Sequence, residues 1–125
     1  MLLELNKITL ELVRGDTFML PLRLNSGTLE YPEHYKLTDG EYLYIGIMRP
    51  NQPFEEAMIR CGVNSATQEN SDGDKVLVIG HDITSSIDPG KYYISIKYVD
   101  SKGIVETLVD HKILFVTGSP VPCGG

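Results

Sequence analysis

The fold is decided by Asp88-Pro89-Gly90-Lys91-Tyr92-Tyr93-Ile94-Ser95-Ile96-Lys97-Tyr98, in which a turn leads directly into an alternating strand. The large apolar side chains of this stretch share one face and the remaining side chains share the other: Tyr92, Ile94, Ile96 and Tyr98 against Lys91, Tyr93, Ser95 and Lys97. A period of two is typical of a half-buried strand. We therefore predict that this segment is the central strand of an antiparallel sandwich.

Short alternating segments separated by turn residues recur along the rest of the chain. The other predicted strands are Leu5 to Val13, Thr17 to Leu24, Glu41 to Arg49, Phe54 to Val63, Lys75 to Gly80 and Ile104 to Thr117. A single helical turn capped by Asp82 is expected over 82–87, loops over 25–40 and 64–74, and a hairpin at 101–103. About seven strands without a long amphipathic helix predict an all-β sandwich.

Two of these strands have further features in their sequence. Pro21 cannot donate to a strand ladder, so it implies an edge position, a bulge or a break, and we expect a kink there. In the last strand, Val109, His111, Ile113 and Phe115 alternate with Asp110, Lys112 and Leu114.

The 125 residues suit a single domain over 1–117, followed by an extended tail over 118–125. Two cysteines, Cys61 in a strand and Cys123 in the tail, could pair only if the tail folds back. We expect both to be reduced, because a domain of this length does not need a disulfide.

The chain is acidic, with a formal net charge of −6. Its field repels nucleic-acid backbones and anionic membranes, so neither is expected as a partner. The first residues lack the positive region of a secretory signal, and no later stretch is long and apolar enough to span a bilayer. We expect a protein made in the cytosol.

The segment Asp88 to Ile94 resembles the immunoglobulin pattern Asp-x-Ala/Gly-x-Tyr-x-Cys at the start of strand F. The resemblance implies an immunoglobulin-like sandwich in which Tyr92 forms a tyrosine corner, its hydroxyl bonding back to the preceding loop. Ile94 stands where that pattern has cysteine, and the chain has no tryptophan. The disulfide-on-tryptophan core is therefore absent, and only the architecture carries over.

A second resemblance concerns function and covers nearly the whole chain. Its motifs are Ile8-Thr9-Leu10, Val13-Arg14-Gly15-Asp16-Thr17-Phe18, Leu37-Thr38-Asp39-Gly40, Asp82-Ile83-Thr84, Pro89-Gly90-Lys91-Tyr92 and Phe115-Val116-Thr117. In this order they are similar to the small immunoglobulin-like domains of tailed-bacteriophage virion proteins, such as the N-terminal domain of upper baseplate proteins.

This second resemblance implies a non-catalytic structural component of a virion, made in the host cytoplasm and placed on the tail, the baseplate or the capsid surface. Its implied partners are other virion proteins and further copies of itself in a multi-copy assembly. It implies no catalytic residues, no metal and no cofactor.

Several motifs suggest chemistry but have simpler explanations. Arg14-Gly15-Asp16 is the tripeptide that integrins recognise, yet glycine and aspartate are also turn residues. His34, His81 and His111 lie far apart without metal-ligand spacing, and Asp72-Gly73-Asp74 lacks the rest of a calcium loop. Cys61 belongs to no nucleophile motif, and the adjacent Glu55 and Glu56 would point to opposite faces of a strand. We expect no enzyme.

Seven tyrosines are more than one small core needs. Tyr31 and Tyr35 in the long loop and Tyr93 on the outer face are candidate partner-binding residues, because amphipathic rings often anchor interfaces. Packing of these rings over the end of the sandwich is the alternative. Pro120 and Pro122 in the tail are the other candidate contacts.

A carbohydrate-binding or host-surface adhesion module is the alternative function. A shallow groove with exposed aromatic rings and convergent Asn, Asp or Arg side chains would favour it.

Overall fold

The computed structural model describes residues 1–5, 9–28 and 30–118. Within them the chain forms nine strands, a 3₁₀ turn at Phe54–Glu56 and one turn of helix, α1, at His81–Thr84. The strands are β1 (Leu2–Glu4), β2 (Leu10–Val13), β3 (Phe18–Gly27), β4 (Pro32–Tyr35), β5 (Tyr42–Met48), β6 (Ile59–Asn64), β7 (Lys75–Ile79), β8 (Gly90–Val99) and β9 (Val105–Thr117). No helix among the described residues is long and apolar enough to cross a membrane.

The strands form two sheets. The larger sheet has the order β2-β9-β8-β5-β6, so β8 is its middle strand, as the sequence predicts. In the smaller sheet, β3 pairs with β1 and β4 through its C-terminal half and with β7 through its N-terminal half. Alternate side chains from both sheets meet in one hydrophobic core. The architecture is therefore all-β and consistent with a sandwich.

The first predicted strand, Leu5 to Val13, is shorter in the structure: within the described residues it is a strand at Leu10–Val13, which is β2 and pairs parallel with β9. A further short strand that was not predicted, β1, precedes it and pairs antiparallel with β3 in the other sheet. A period of two cannot show which sheet a strand joins. The sandwich is consequently antiparallel everywhere except at the described β2–β9 pair. Leu10 and Leu12 are buried as expected, whereas Ile8 lies outside the described residues.

Pro21 does not break its strand. The register between β3 and β7 runs without a shift from Phe18 to Leu22, with Pro21 opposite Val76. The Val76 N–H bonds to the Gln68 carbonyl, away from β3. Because bonding direction alternates along an antiparallel strand, Pro21 occupies a non-hydrogen-bonded pair where its missing N–H costs no bond to β7.

The predicted loop over 25–40 is only partly a loop, since β3 extends to Gly27 and β4 pairs with its end. The predicted strand over 54–63 begins later, at Ile59, because Phe54–Glu56 forms the 3₁₀ turn. The helical turn is confirmed, but Gly80, rather than Asp82, is its N-cap. The β8–β9 hairpin is confirmed as well, and Gly103 takes a φ of 86° in its turn.

The last strand contains a bulge that reverses its alternation. The register with β8 shifts between Ile94 and Lys97, and His111 adopts a φ of 51°. The His111 N–H bonds to the Ser95 hydroxyl at 2.9 Å instead of to the ladder. As a result Leu114 and Val116 point into the core, while Ile113 and Phe115 are exposed on the outer face.

Candidate interaction surface

The outer face of the larger sheet carries an unusual number of exposed rings. In β5, Leu43, Ile45 and Ile47 point into the core, so Tyr42 and Tyr44 point outward. Tyr44 is 45% exposed and lies between Gly62 of β6 and Lys97 of β8. The two tyrosine rings stack with centroids 5.9 Å apart. The first half of β5 is therefore half-exposed.

Phe54 extends this aromatic row. A side chain on Gly46 would collide with it, since an added Cβ would lie 2.8 Å from Phe54 Cε2. The absence of that side chain lets the ring approach the backbone of β5 closely. Lys97 Nζ lies 4.7 Å from the centroid of the ring, at the distance of a cation–π contact. Phe54 is thus held in place from both sides.

A groove of about 390 Å³ opens between Tyr44 and Phe54. It is lined by Tyr44, Ile45, Phe54, Arg60, Cys61 and Gly62. Gly62 forms part of its floor. The space above Gly62 is open, since an added Cβ would have only the Leu43 carbonyl oxygen within contact range, at 4.0 Å. We call this feature the Tyr44–Phe54 groove. Arg60 is exposed beside it, so the groove combines apolar walls with a cation.

The other end of the same face is apolar and basic too. Tyr93 is half-buried on β8, with Lys91 Nζ 5.5 Å from its centroid and the His111 ring 5.8 Å away. Ile113 and Phe115 of β9 are exposed beside it. The hydrogen bond to Asp110 raises the pKa of His111. Ser95, predicted to be on this outer face, is nevertheless fully covered at 1% exposure.

The structure does not bring the predicted contact residues together. Tyr31 is 77% exposed at the turn before β4, on the side of the smaller sheet. Tyr35 is the last residue of β4, and its hydroxyl donates a hydrogen bond to Glu41. Tyr93 is on the larger sheet. Pro120, Pro122 and Cys123 lie outside the described residues, as does the predicted tail except for Gly118. Tyr42, Tyr44 and Phe54 were not singled out from the sequence.

A buried carboxylate immediately before β5 was also not anticipated. Glu41 is 5% exposed, and its two oxygens accept hydrogen bonds from Tyr35, Tyr98 and both the amide and the hydroxyl of Thr38. Burial by itself raises the pKa of Glu41, but these bonds outweigh it and lower the pKa to about 2. The pKa values of Tyr35 and Tyr98 are raised in turn.

Because Tyr35 belongs to the smaller sheet and Tyr98 to the larger one, Glu41 links the two layers. Its lone pairs are occupied by these donors, so the cluster is structural and offers no free acid or base. Glu41 lies next to Thr38 because residues 38–41 form a tight turn, in which Gly40 takes a φ of 87°. The glycine of this turn is the sequence feature that could have indicated the arrangement.

The Arg14-Gly15-Asp16 tripeptide is a turn fixed against α1. The Asp16 N–H bonds to the Val13 carbonyl, and Gly15 has a φ of 89°. The fully buried Thr84 hydroxyl accepts from the Gly15 N–H and donates to the Asp16 carbonyl. Arg14 Nε donates to the Ser85 carbonyl at 3.0 Å. Turn chemistry therefore explains the motif.

The remaining candidate groups are separate. In the described part of the chain, no three His, Cys, Asp or Glu side chains converge as a metal-ligand set. Asp74 is buried and pairs with Arg23 Nε at 2.7 Å. Glu55 and Glu56 lie in the 3₁₀ turn and are exposed. Cys61 is half-buried on β6 and has no disulfide partner among the described residues, and burial raises the pKa of its thiol.

Comparison with known proteins adds no relative. The chain matches no protein-family model, and no curated protein matches it.

Proposed function

We propose that this chain is a non-catalytic assembly module with an immunoglobulin-like fold, built into the virion of a tailed bacteriophage. The observation that carries the assembly role is the exposed aromatic and basic face of β5, β6, β8 and β9 on a chain with a net charge of −6. Tyrosine, phenylalanine and arginine are enriched where proteins contact each other.

The immunoglobulin-like part of the proposal has two supports. The Tyr92 hydroxyl donates to the Asp88 carbonyl at 2.7 Å, which is the bond expected of a tyrosine corner. The spatial order β9-β8-β5 corresponds to the G-F-C order of immunoglobulin sheets, and the pairing of β3 with both β1 and β7 corresponds to the A-B and B-E pairs. Ile94, at the position of the pattern's cysteine, is fully buried.

The virion part of the proposal is supported by the order of short motifs that resembles phage domains. Its test is mass spectrometry of purified phage particles from a culture whose phage genome encodes this chain. We expect peptides of the chain at a copy number that is a multiple of the particle's rotational symmetry. Particles that lack the chain would refute the virion assignment.

The Tyr44–Phe54 groove also favours the second candidate, a carbohydrate-binding or adhesion module. Aromatic walls beside Arg60 provide both a ring face for a sugar and a hydrogen-bond donor. A glycan array followed by NMR titration tests it: a specific glycan that shifts the signals of Tyr44 and Gly62 would favour this function over the assembly role.

A further inference from the structure

The turn between β3 and β4 presents a projecting ring flanked by acids. Tyr31 is the most exposed large hydrophobic side chain of the described residues, and Glu30 and Glu33 beside it are exposed as well. Two close contacts involve the described residues of this turn. The Tyr31 N–H bonds to the Thr28 hydroxyl at 3.1 Å, and Gly27 takes a φ of 91° close beneath the Tyr31 carbonyl.

The Tyr44–Phe54 groove has the opposite character. Its walls are apolar and aromatic, its floor is open at Gly62, and the cations Arg60 and Lys97 lie beside it. A groove of about 390 Å³ with aromatic walls has room for a tyrosine ring, and carboxylates next to that ring would carry the charge opposite to that of the two cations. The projecting turn and the groove are therefore complementary in both apolar character and charge.

We propose that Tyr31 of one copy of this chain inserts between Tyr44 and Phe54 of a second copy, with Glu30 and Glu33 facing Arg60 and Lys97. This contact rests on the proposed assembly function and names the partner of that surface as the chain itself. A buried tyrosine ring between aromatic walls and beside an arginine is typical of the residues that dominate interface energetics.

The two halves of this contact lie on different parts of the molecule. Tyr31 adjoins β4 of the smaller sheet, whereas the groove is on the outer face of the larger sheet. The contact is therefore head-to-tail, and each copy keeps one free turn and one free groove. Repetition of such a contact closes into a ring or extends as a chain.

One ring and two charge pairs make a small interface, so the association of the isolated protein is weak, with a dissociation constant in the sub-millimolar range. High local concentration in an assembly compensates for weak individual contacts. Since the charges lie near solvent, association weakens as salt is raised.

Sedimentation equilibrium with two complementary variants tests the contact. Tyr31→Ser removes the projecting ring but leaves the groove, while Gly62→Val fills the floor of the groove but leaves the ring. We expect the weight-average mass of the wild-type protein to rise with concentration up to about 1 mM, and each variant alone to stay monomeric. An equimolar mixture of the two variants should form a dimer and nothing larger, because only one intact turn and one intact groove remain.

Three results would overturn the proposal: a wild-type protein that is monomeric at all concentrations, a variant that still self-associates, or a mixture that stays monomeric. The thermal unfolding of each variant is measured to check that it is folded. If Gly62→Val is not folded, Arg60→Glu takes its place, and Glu30→Lys/Glu33→Lys is the complementary variant with the opposite change of charge. Failure of self-association leaves the particle mass spectrometry unaffected, so the two proposals fail separately.

Discussion

Glu41 keeps its charge at 5% exposure because donors from both sheets saturate its oxygens. Its folded-state pKa of about 2 lies below the ordinary value of 4.5. A depressed carboxyl pKa contributes stability that is present above pH 4.5 and is lost as the pH falls toward 2. We predict that the free energy of unfolding drops by about 3 kcal/mol across this window.

Urea denaturation at a series of pH values measures this loss. Glu41→Gln should remove most of the pH dependence between 4.5 and 2, whereas Glu30→Gln at an exposed position should leave it unchanged. A wild-type stability that is flat over this window would contradict the role assigned to Glu41.

Tyr92 allows a second test at the residue scale. Tyr92→Phe removes the hydroxyl that bonds to the Asp88 carbonyl while preserving the buried ring. We predict a loss of about 1 kcal/mol in the free energy of unfolding. Tyr44→Phe is the matched control, because the Tyr44 ring is half-exposed. Loss of the Tyr44 hydroxyl should change the free energy of unfolding by less than half as much as loss of the Tyr92 hydroxyl. Equal effects of the two variants would argue against a tyrosine corner.

At the scale of elements, β5 and the 3₁₀ turn form a unit because Gly46 leaves room for Phe54. An added Cβ at Gly46 would lie 2.8 Å from Phe54 Cε2 and 3.1 Å from Ala57 Cβ. We predict that Gly46→Ala keeps the fold, displaces the ring and costs roughly 1 kcal/mol. The ring-current shift of the Lys97 side-chain protons, measured by NMR, should fall at the same time.

Gly62→Ala on the neighbouring strand provides the control, because its Cβ would meet nothing closer than 4.0 Å. We expect that variant to retain both the stability and the Lys97 shift. An unchanged Lys97 shift in Gly46→Ala would show that the lysine does not lie over the ring.

Strands could be predicted from the sequence where the alternation of nearby residues is sufficient to define them. β8 and β7 alternate without interruption, and both are strands as predicted. The unpredicted strand β1, the parallel pairing of β2 with β9 and the bulge at His111 depend on partners far away in the chain, which an alternating pattern does not reveal. Because of the bulge, Ile113 and Phe115 are exposed on the outer face, although in sequence they continue the alternation that begins at Val109, which packs against the core.

At the scale of the whole molecule, the all-β class could be predicted because short strands and turns cover most of the chain. The candidate surface could not, because Tyr42 and Tyr44 lie in a segment whose two faces are equally apolar in sequence. Their exposure follows from the position of β5 beside β6 and β8, which leaves the outer face uncovered. Tyr93 was placed on that face correctly, since it alternates with Tyr92.

The central claim is that the outer face of the larger sheet becomes covered when this chain enters its assembly. Hydroxyl-radical footprinting of the isolated protein and of purified particles tests it most directly. We expect oxidation of Tyr44 and Phe54 to fall several-fold in the particle, whereas oxidation of Met19, 59% exposed on the smaller sheet, should be unchanged. Unchanged oxidation of Tyr44 and Phe54 in the particle would contradict it.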